Sequence, residues 1–310
     1  MTMLKQWLTA LLSLLFLQSP VLFAADYAIV TELGSSAKSI ALGGLEGFSS
    51  SSQSVFENPA GLYRIKRTSV SIFKTNIMNN DVHYNALSIA KAFKFGALGF
   101  GYYSAAVSGV PHTVERLEVV PYYDVDHYFD YKNSLMKFSY QTQVRQDLML
   151  GASYTHYHHH YFDVKGRGQN LDLGLIWMKG DKELSALIRN VIPGMAVEYK
   201  KMEHQDETIP THIVVSSRVP WQFFTLYQQL KKVKSNYLPS LGLEYTPPLF
   251  PHLDLFAGYK QSLSYTYTLV KNITVGLGLN LYDVHFYYAY EKSDYITHDN
   301  KSYFSMTYSF

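Results

Sequence analysis

Cysteine is absent from the 310 residues of this chain. Disulfide frameworks, cysteine-based redox chemistry and thiolate metal sites are therefore excluded. The formal net charge is only +2 at pH 7, so we expect no basic surface of the kind that binds nucleic acid. The sequence also lacks a nucleophile elbow, a phosphate loop and a zinc-protease helix motif. We therefore expect neither an enzyme nor a bound cofactor.

Long apolar runs are confined to the start of the chain. Lys5 precedes an apolar stretch over residues 7–16, and Ala24 and Ala25 are small residues suited to a cleavage site. This pattern is typical of a secretory signal peptide, which we assign to residues 1–25. The absence of later runs of about 18 apolar residues argues against membrane-spanning helices.

Aromatic residues are abundant, with 27 Tyr and 18 Phe, whereas only 17% of the residues are charged. Transmembrane β-barrels use aromatic rings as girdles at both membrane interfaces. A membrane protein without apolar helices must close its sheet into a barrel, because lipid cannot satisfy exposed backbone groups. The composition therefore favours a transmembrane barrel.

Apolar and polar residues alternate from residue 68 onward. Ile273, Val275 and Leu277 fall on one face of a segment whose other face carries Thr274 and Gly276. Successive side chains of a strand point to opposite faces, so this is an apolar-out, polar-in strand. Repetition of the pattern predicts fourteen strands, at about 68–75, 84–91, 96–106, 134–143, 148–160, 170–178, 183–190, 210–218, 221–230, 238–245, 254–262, 272–281, 284–292 and 302–310.

The predicted connections alternate in length. The longer set is 76–83, 107–133, 161–169, 191–209, 231–237, 263–271 and 293–301, and the connections between them are mostly short. Outer-membrane barrels have short periplasmic turns and longer external loops. The predicted fold is therefore an all-β, antiparallel transmembrane barrel of about 14 strands over residues 67–310, in the outer membrane of a Gram-negative bacterium.

The last strand carries a candidate assembly signal. Phe304, Met306, Tyr308 and Phe310 share one face and end the chain on an aromatic ring. This resembles the signal of outer-membrane barrels, and it implies two partners: the barrel assembly machinery and outer-membrane lipids.

Two N-terminal stretches carry a family resemblance. Residues 36–44 read SAKSIALGG and residues 56–62 read FENPAGL, and together they resemble the amino-terminal signature of the FadL and PorV group. These proteins are 14-stranded barrels whose N-terminal segment folds into the lumen. The resemblance implies that residues 26–66 form a luminal plug, with a plug motif made of Asn58, Pro59, Ala60 and Gly61.

The predicted inward faces carry charges of both signs, which indicates an ion-pair network rather than catalysis. Glu244 and Lys260 lie on neighbouring strands and are expected to pair. Small residues on these faces, such as Gly174 and Gly258, are expected to leave room in the lumen. The full charged set is Lys137, Asp172, Glu183, Arg189, Glu244, Asp254 and Lys260.

The longest predicted loop, 107–133, is a candidate ligand-binding loop because it is rich in aromatic rings. These are Tyr122, Tyr123, Tyr128, Phe129 and Tyr131. They could form a hydrophobic landing surface.

Two groups of polar residues have side chains that can act as metal ligands. The histidines at 156, 158 and 160 share a strand face, and the aspartates at 124, 126 and 130 share the loop. Solvated side chains are the favoured interpretation of both groups, so no metal site is predicted.

The resemblance implies three functions. The first is binding or transport of hydrophobic small molecules, as in FadL-like proteins. The alternative is a PorV-like role with a secretion partner protein at the cell surface. The third is a mainly structural outer-membrane protein.

Overall fold

The computed structural model of the protein describes residues 33–77, 82–116, 122–162, 164–200, 207–263, 269–292 and 301–310. The predicted signal peptide and the first residues of the predicted plug lie outside these ranges. Within them, no helix is long and apolar enough to cross a membrane.

Fourteen antiparallel strands of the described chain close into a barrel, which confirms the predicted fold class and strand number. Each barrel strand pairs with the next one along the chain, and β1 pairs with β16 to close the ring. Strands β8 and β9 lie outside this ring. The strands are β1 Thr68–Ile77, β2 Val82–Phe93, β3 Gly96–Arg116, β4 Tyr122–Arg145, β5 Leu148–Tyr161, β6 Val164–Lys179, β7 Lys182–Arg189, β8 Ala196–Lys200, β9 Glu207–Thr208, β10 His212–Trp221, β11 Phe224–Val233, β12 Asn236–Tyr245, β13 Leu253–Leu263, β14 Leu269–Leu281, β15 Val284–Glu291 and β16 Lys301–Ser309.

The alternation in the sequence sorts side chains between the two faces of the wall. Large apolar residues such as Leu87 and Phe138 are exposed on the outside, whereas Ser88 and Ser139 are buried on the inside. An apolar outer band is the surface that a barrel presents to lipid. The inner face is covered by other parts of the chain, as described below.

The two ends of the barrel differ. At one end, which we call the turn end, short connections such as 94–95, 146–147 and 282–283 join the strands, and Phe310 exchanges backbone hydrogen bonds of 2.9 Å with Thr68. We call the opposite end the loop end. The predicted alternation of turns and loops is confirmed at the turn end, with 246–252 as its longest connection.

The prediction of a long loop over residues 107–133 is wrong. β3 continues to Arg116 and β4 begins at Tyr122, so most of that stretch is a two-stranded extension beyond the predicted strand ends. The ladder is irregular, with register shifts between Val107 and Val110 and between His112 and Thr113. The alternation of apolar and polar residues stops there, but the backbone pairing of β3 with β4 continues. The sequence shows only the alternation, so it underestimates the length of these two strands.

Three smaller boundaries also differ from the prediction. The expected loops 161–169 and 231–237 shrink because β6 already begins at Val164 and β11 reaches Val233. The expected turn at 219–220 lies instead at 222–223, because Pro220 stays in β10 opposite Thr225. These strands run further than their apolar pattern indicates.

Residues 33–66, which we call the N-terminal segment, contain a short helix and two 3-10 helices instead of strands. Helix α1 spans Ala37–Ala41, and the 3-10 helices span Ser52–Val55 and Pro59–Arg64. Side-chain oxygens of Ser36 and Asn58 accept hydrogen bonds from backbone N–H groups at the first turns, which satisfies donors that a helix start leaves free. The buried side chains of this segment face the inner wall of the barrel.

A lipid-facing charge tests the facing assignment. Leu277 lies in the middle of β14 and Leu281 at its turn end, and both are exposed on the outer face. Leu277→Arg should lower the free energy of unfolding by about 2–4 kcal/mol, whereas Leu281→Arg should cost about 0–1 kcal/mol, because the cost of a charge falls toward the interface. Chemical unfolding in lipid vesicles measures both values; equal costs would contradict the assignment.

Candidate functional site in the barrel lumen

The predicted plug motif lies against a flat patch of the wall formed by two glycines. Gly151 of β5 and Gly174 of β6 are direct cross-strand partners. A Cβ added to Gly174 would lie 1.9 Å from Asn58 Oδ1, and one added to Gly151 would lie 2.2 Å from the backbone nitrogen of Ala60. The chain reaches this patch because the wall has no side chain there.

Asn58 connects the motif to the wall by hydrogen bonds. Its Nδ2 donates to Ser185 Oγ at 2.9 Å and to the backbone oxygen of Ala186 at 3.2 Å. Its Oδ1 accepts from the backbone N–H of Ala60 at 3.0 Å. The side chain is fully buried, so both ends of its amide are satisfied without water. Pro59, Ala60 and Gly61 are buried beside it in the 3-10 helix.

A second glycine pair receives the end of helix α1. Gly242 of β12 and Gly258 of β13 are cross-strand partners. A Cβ added to Gly258 would lie 2.2 Å from the backbone nitrogen of Gly43, and one added to Gly242 would lie 2.6 Å from the backbone oxygen of Leu42. The room that small inward residues were expected to leave in the lumen is occupied at these positions by the N-terminal segment, for which the glycines form the contact surface.

Ion pairs join the N-terminal segment to the wall on several strands. Lys38 Nζ lies 2.8 Å from Glu244 Oε1, and Glu46 Oε2 lies 2.5 Å from Arg189 Nη2. Arg64 pairs with Glu183 of β7. Because each pair joins one partner from the segment to one from the barrel, the charges fix where the segment lies.

The expected pair between Glu244 and Lys260 does not form. Glu244 pairs with Lys38 instead, and Lys260 Nζ lies 2.8 Å from Glu291 Oε2. The sequence places Glu244 and Lys260 on adjacent strands, but Glu244 lies opposite Phe256 in the register. Strand adjacency alone therefore did not identify the partner.

Lys137 and Asp172 form a fully buried pair within the wall. Lys137 Nζ lies 2.5 Å from Asp172 Oδ2, and Asp172 Oδ1 accepts from the backbone N–H of Asn190 at 2.9 Å. Asp254 instead accepts hydrogen bonds from Thr246 and Asn280. The predicted inward charges are thus all engaged in pairs or hydrogen bonds, as expected of a structural network.

Two residues that matter in this network had no signal in the sequence. Glu46 and Arg64 lie in a stretch without alternation, so no face could be assigned to them. The serine-rich stretch of residues 49–52 was instead expected to hydrogen-bond the wall, and Ser52 does so. Ser52 Oγ lies 2.8 Å from Ser88 Oγ on the wall. Burial raises the pKa of Glu57 to about 8, and the nearby charge of Glu46 adds to this effect, so the Glu57 carboxyl carries its proton at neutral pH.

Apolar and aromatic side chains fill the lumen between the N-terminal segment and the loop end. Tyr103, Leu135 and Tyr157 belong to one buried cluster with Val197 of β8 and with Phe56 of the N-terminal segment. The buried hydroxyls are satisfied: that of Tyr103 donates to the backbone oxygen of Gly34 at 2.6 Å, and that of Tyr157 donates to Asn190 at 2.7 Å. We call this group the luminal cluster.

Part of the predicted ligand loop extends this apolar surface toward the loop end. Phe129 and Tyr131 lie on the inward side of β4, where their ring centroids are 5.2 Å and 6.0 Å from that of Tyr161. Tyr131 also contacts the ring of His159, whose Nδ1 is 2.6 Å from the hydroxyl of Tyr199. These two predicted residues therefore share a surface.

The other predicted residues of that loop lie elsewhere. Tyr128 is on the opposite face of β4 and is 67% exposed, and Tyr123 is 76% exposed near the tip of the extension. Tyr122 begins β4. Tyr128 therefore does not share a surface with Phe129 and Tyr131, because a strand sends neighbouring side chains to opposite faces.

The C-terminal residues share one face, as predicted. Phe304, Met306, Tyr308 and Phe310 are all exposed on the outside of β16, and the rings of Tyr308 and Phe310 stack at 5.0 Å. Their role as an assembly signal stays a prediction.

Substituting the wall glycine tests the contact with the plug motif. Gly174→Ala should force Asn58 away from the wall, lowering the free energy of unfolding by about 1–3 kcal/mol. Leu173→Ala is the matched control, since Leu173 is the lipid-facing neighbour on β6. Only the glycine variant should also raise single-channel conductance in planar bilayers. Unchanged conductance and stability would contradict the proposed contact.

Comparisons with known proteins identify solved structures that share this fold. No protein-family model matches the sequence, and no curated protein matches it either. The CymD monoaromatic hydrocarbon channel is 14% identical, with 90% of this chain and 98% of that chain covered and a TM-score of 0.62. The TodX toluene transporter of P. putida is 13% identical, with 88% and 98% covered and a TM-score of 0.60. The TbuX toluene transporter of Ralstonia pickettii is 13% identical, with the same coverage and a TM-score of 0.57. The chain therefore has the fold of these channels, which is the FadL-like fold that its sequence motifs imply.

Proposed function

We propose that this chain is an outer-membrane barrel that binds or transports hydrophobic small molecules. The observation that carries the proposal is a continuous set of apolar and aromatic side chains on the inward side of the wall, which is packed closed at the luminal cluster. It begins with Phe129 and Tyr131 at the loop end and continues through the luminal cluster. A water-filled porin has a polar interior, whereas this part of the lumen is lined by apolar and aromatic side chains.

The luminal cluster can present apolar ring faces because its polar atoms are already engaged. The hydroxyls of Tyr103 and Tyr157 donate to fixed acceptors. A ligand that passes them meets ring faces and the side chain of Leu135. Aromatic ligands fit this environment, because offset and edge-to-face ring contacts stabilise them. The hydrocarbon and toluene channels that share the fold support this ligand class.

The N-terminal segment acts as a plug in this proposal. Phe56 packs edge-on against Tyr103 at 5.8 Å, so the segment forms the floor of the luminal cluster. A ligand could leave only after this floor shifts, either sideways or through the lumen. The ion pairs of Lys38, Glu46 and Arg64 hold the floor in place.

A second candidate is a PorV-like role with a secretion partner protein. The exposed rings of Tyr123 and Tyr128 on the β3–β4 extension favour it, since exposed aromatic residues often anchor protein partners. Native mass spectrometry of the detergent-purified protein separates the two: a retained apolar small molecule supports transport, and a retained protein supports the second role.

Uptake of radiolabelled toluene by cells that express the protein tests the ligand surface. Tyr131→Ala should reduce the initial uptake rate by roughly fivefold, because an aromatic contact contributes about 1 kcal/mol. Tyr128→Ala is the control, since its ring lies on the opposite face of the same strand. Equal rates for both variants would overturn the proposed surface.

Removing the plug tests the second element of the proposal. Deletion of residues 26–56 should turn a nearly silent protein into a conducting pore in planar bilayers, because the lumen of a barrel of this size conducts water when nothing fills it. The retained barrel can be checked by its heat-modifiable migration on gels. If the folded, truncated barrel conducts no more than the full-length protein, residues 26–56 do not close the lumen.

A further inference from the structure

Three potential metal ligands converge on the β3–β4 extension at the loop end. His112 of β3 and His127 of β4 are direct cross-strand partners. Together with Asp126 they place one ligand atom each within 4.8 Å of the other two. Asp126 Oδ2 lies 2.9 Å from His127 Nδ1 and 4.0 Å from His112 Nδ1.

A β-bulge explains why Asp126 and His127 can act together although they are sequence neighbours. Consecutive strand residues normally point to opposite faces. Here the register passes from His112 opposite His127 to Thr113 opposite Val125, so Asp126 is the extra residue on β4. A bulge of this kind re-aims a side chain, and it brings the carboxylate to the two imidazoles.

The imidazole rings are held in position by packing. The rings of His112 and His127 stack at 4.5 Å, and Phe162 stacks on both, at 5.3 Å and 5.1 Å. Phe162 itself has a φ of 54°, a left-handed conformation that is uncommon for a bulky residue.

One ligand atom lacks a partner. Nδ1 of His112 is buried and makes no hydrogen bond to any described residue. A buried polar atom without a partner is costly. The neighbouring acid Asp124 does not compete for this position, because it faces Arg116 Nε at 3.6 Å. A metal ion among the three side chains would satisfy the imidazole.

We propose that His112, Asp126 and His127 bind a divalent transition-metal ion of the Zn²⁺ class. Two imidazole nitrogens and one carboxylate oxygen are donors that Zn²⁺ accepts, and three protein ligands leave a fourth position open. Ligand atoms around tetrahedral zinc are about 3.3 Å apart, so small side-chain rotations close the present spacing. The ion would cross-link β3 to β4 in the part of these strands that extends beyond the barrel wall.

Isothermal titration of the tag-free, detergent-purified full-length protein with ZnCl2 tests this site. The expected result is one saturable Zn²⁺ per chain, with MgCl2 giving no comparable binding because Mg²⁺ prefers oxygen ligands. His112→Ala, His127→Ala and Asp126→Asn should each weaken Zn²⁺ binding by at least about tenfold. Heat-modifiable migration confirms that each variant is folded.

His158→Ala is the matched control. His158 lies on the outer face of β5, in the row that includes positions 156 and 160, and its removal should leave Zn²⁺ affinity unchanged. Protection of the β3–β4 extension from proteolysis by Zn²⁺, seen in the parent protein and lost in His127→Ala, would further support the cross-link. Three results would overturn the proposal: no saturable binding, unchanged affinity in folded His112→Ala and His127→Ala, or loss of binding in His158→Ala alone.

Discussion

The close contact between the N-terminal segment and glycines of the wall determines how the segment fills the lumen. At Gly174 and Gly258 an added Cβ would overlap atoms of Asn58 and Gly43. The segment can approach the wall backbone only because these positions carry no side chain. Serine, asparagine and helix-cap hydrogen bonds then satisfy the polar groups that this close approach removes from water, as the bonds of Asn58 illustrate.

Charge complements this fit. Lys38, Glu46 and Arg64 each contact an opposite charge on the barrel. Removing one partner of a buried pair leaves an uncompensated charge, which is far more costly than losing the pair as a whole. The segment is therefore held in one position. Under the proposed function, a ligand could pass Phe56 only if several of these contacts were displaced together.

The two ends of the barrel serve different purposes in this arrangement. The turn end is short, and Phe310 and Thr68 close the wall there by backbone hydrogen bonds. The loop end carries the irregular β3–β4 extension, where register shifts turn side chains such as Asp126 toward new neighbours. The aromatic residues Phe129 and Tyr131 and the proposed metal site both lie at this end.

The sequence by itself determined the fold class, the number of strands and the outward face of the most regular strands. Contact with lipid requires an apolar residue at every second position of a strand. This alternation can be recognised within a single strand, such as β14, without knowing which strands pair with it. The plug motif was also recognisable, from its resemblance to a known family. Only the tertiary structure decided the partner of Glu244, the contact role of Gly174 and the meeting of His112 with Asp126. These three contacts depend on strand register, on β-bulges and on the path of an N-terminal segment that has no sequence periodicity. Packing between residues far apart in the chain determines all three.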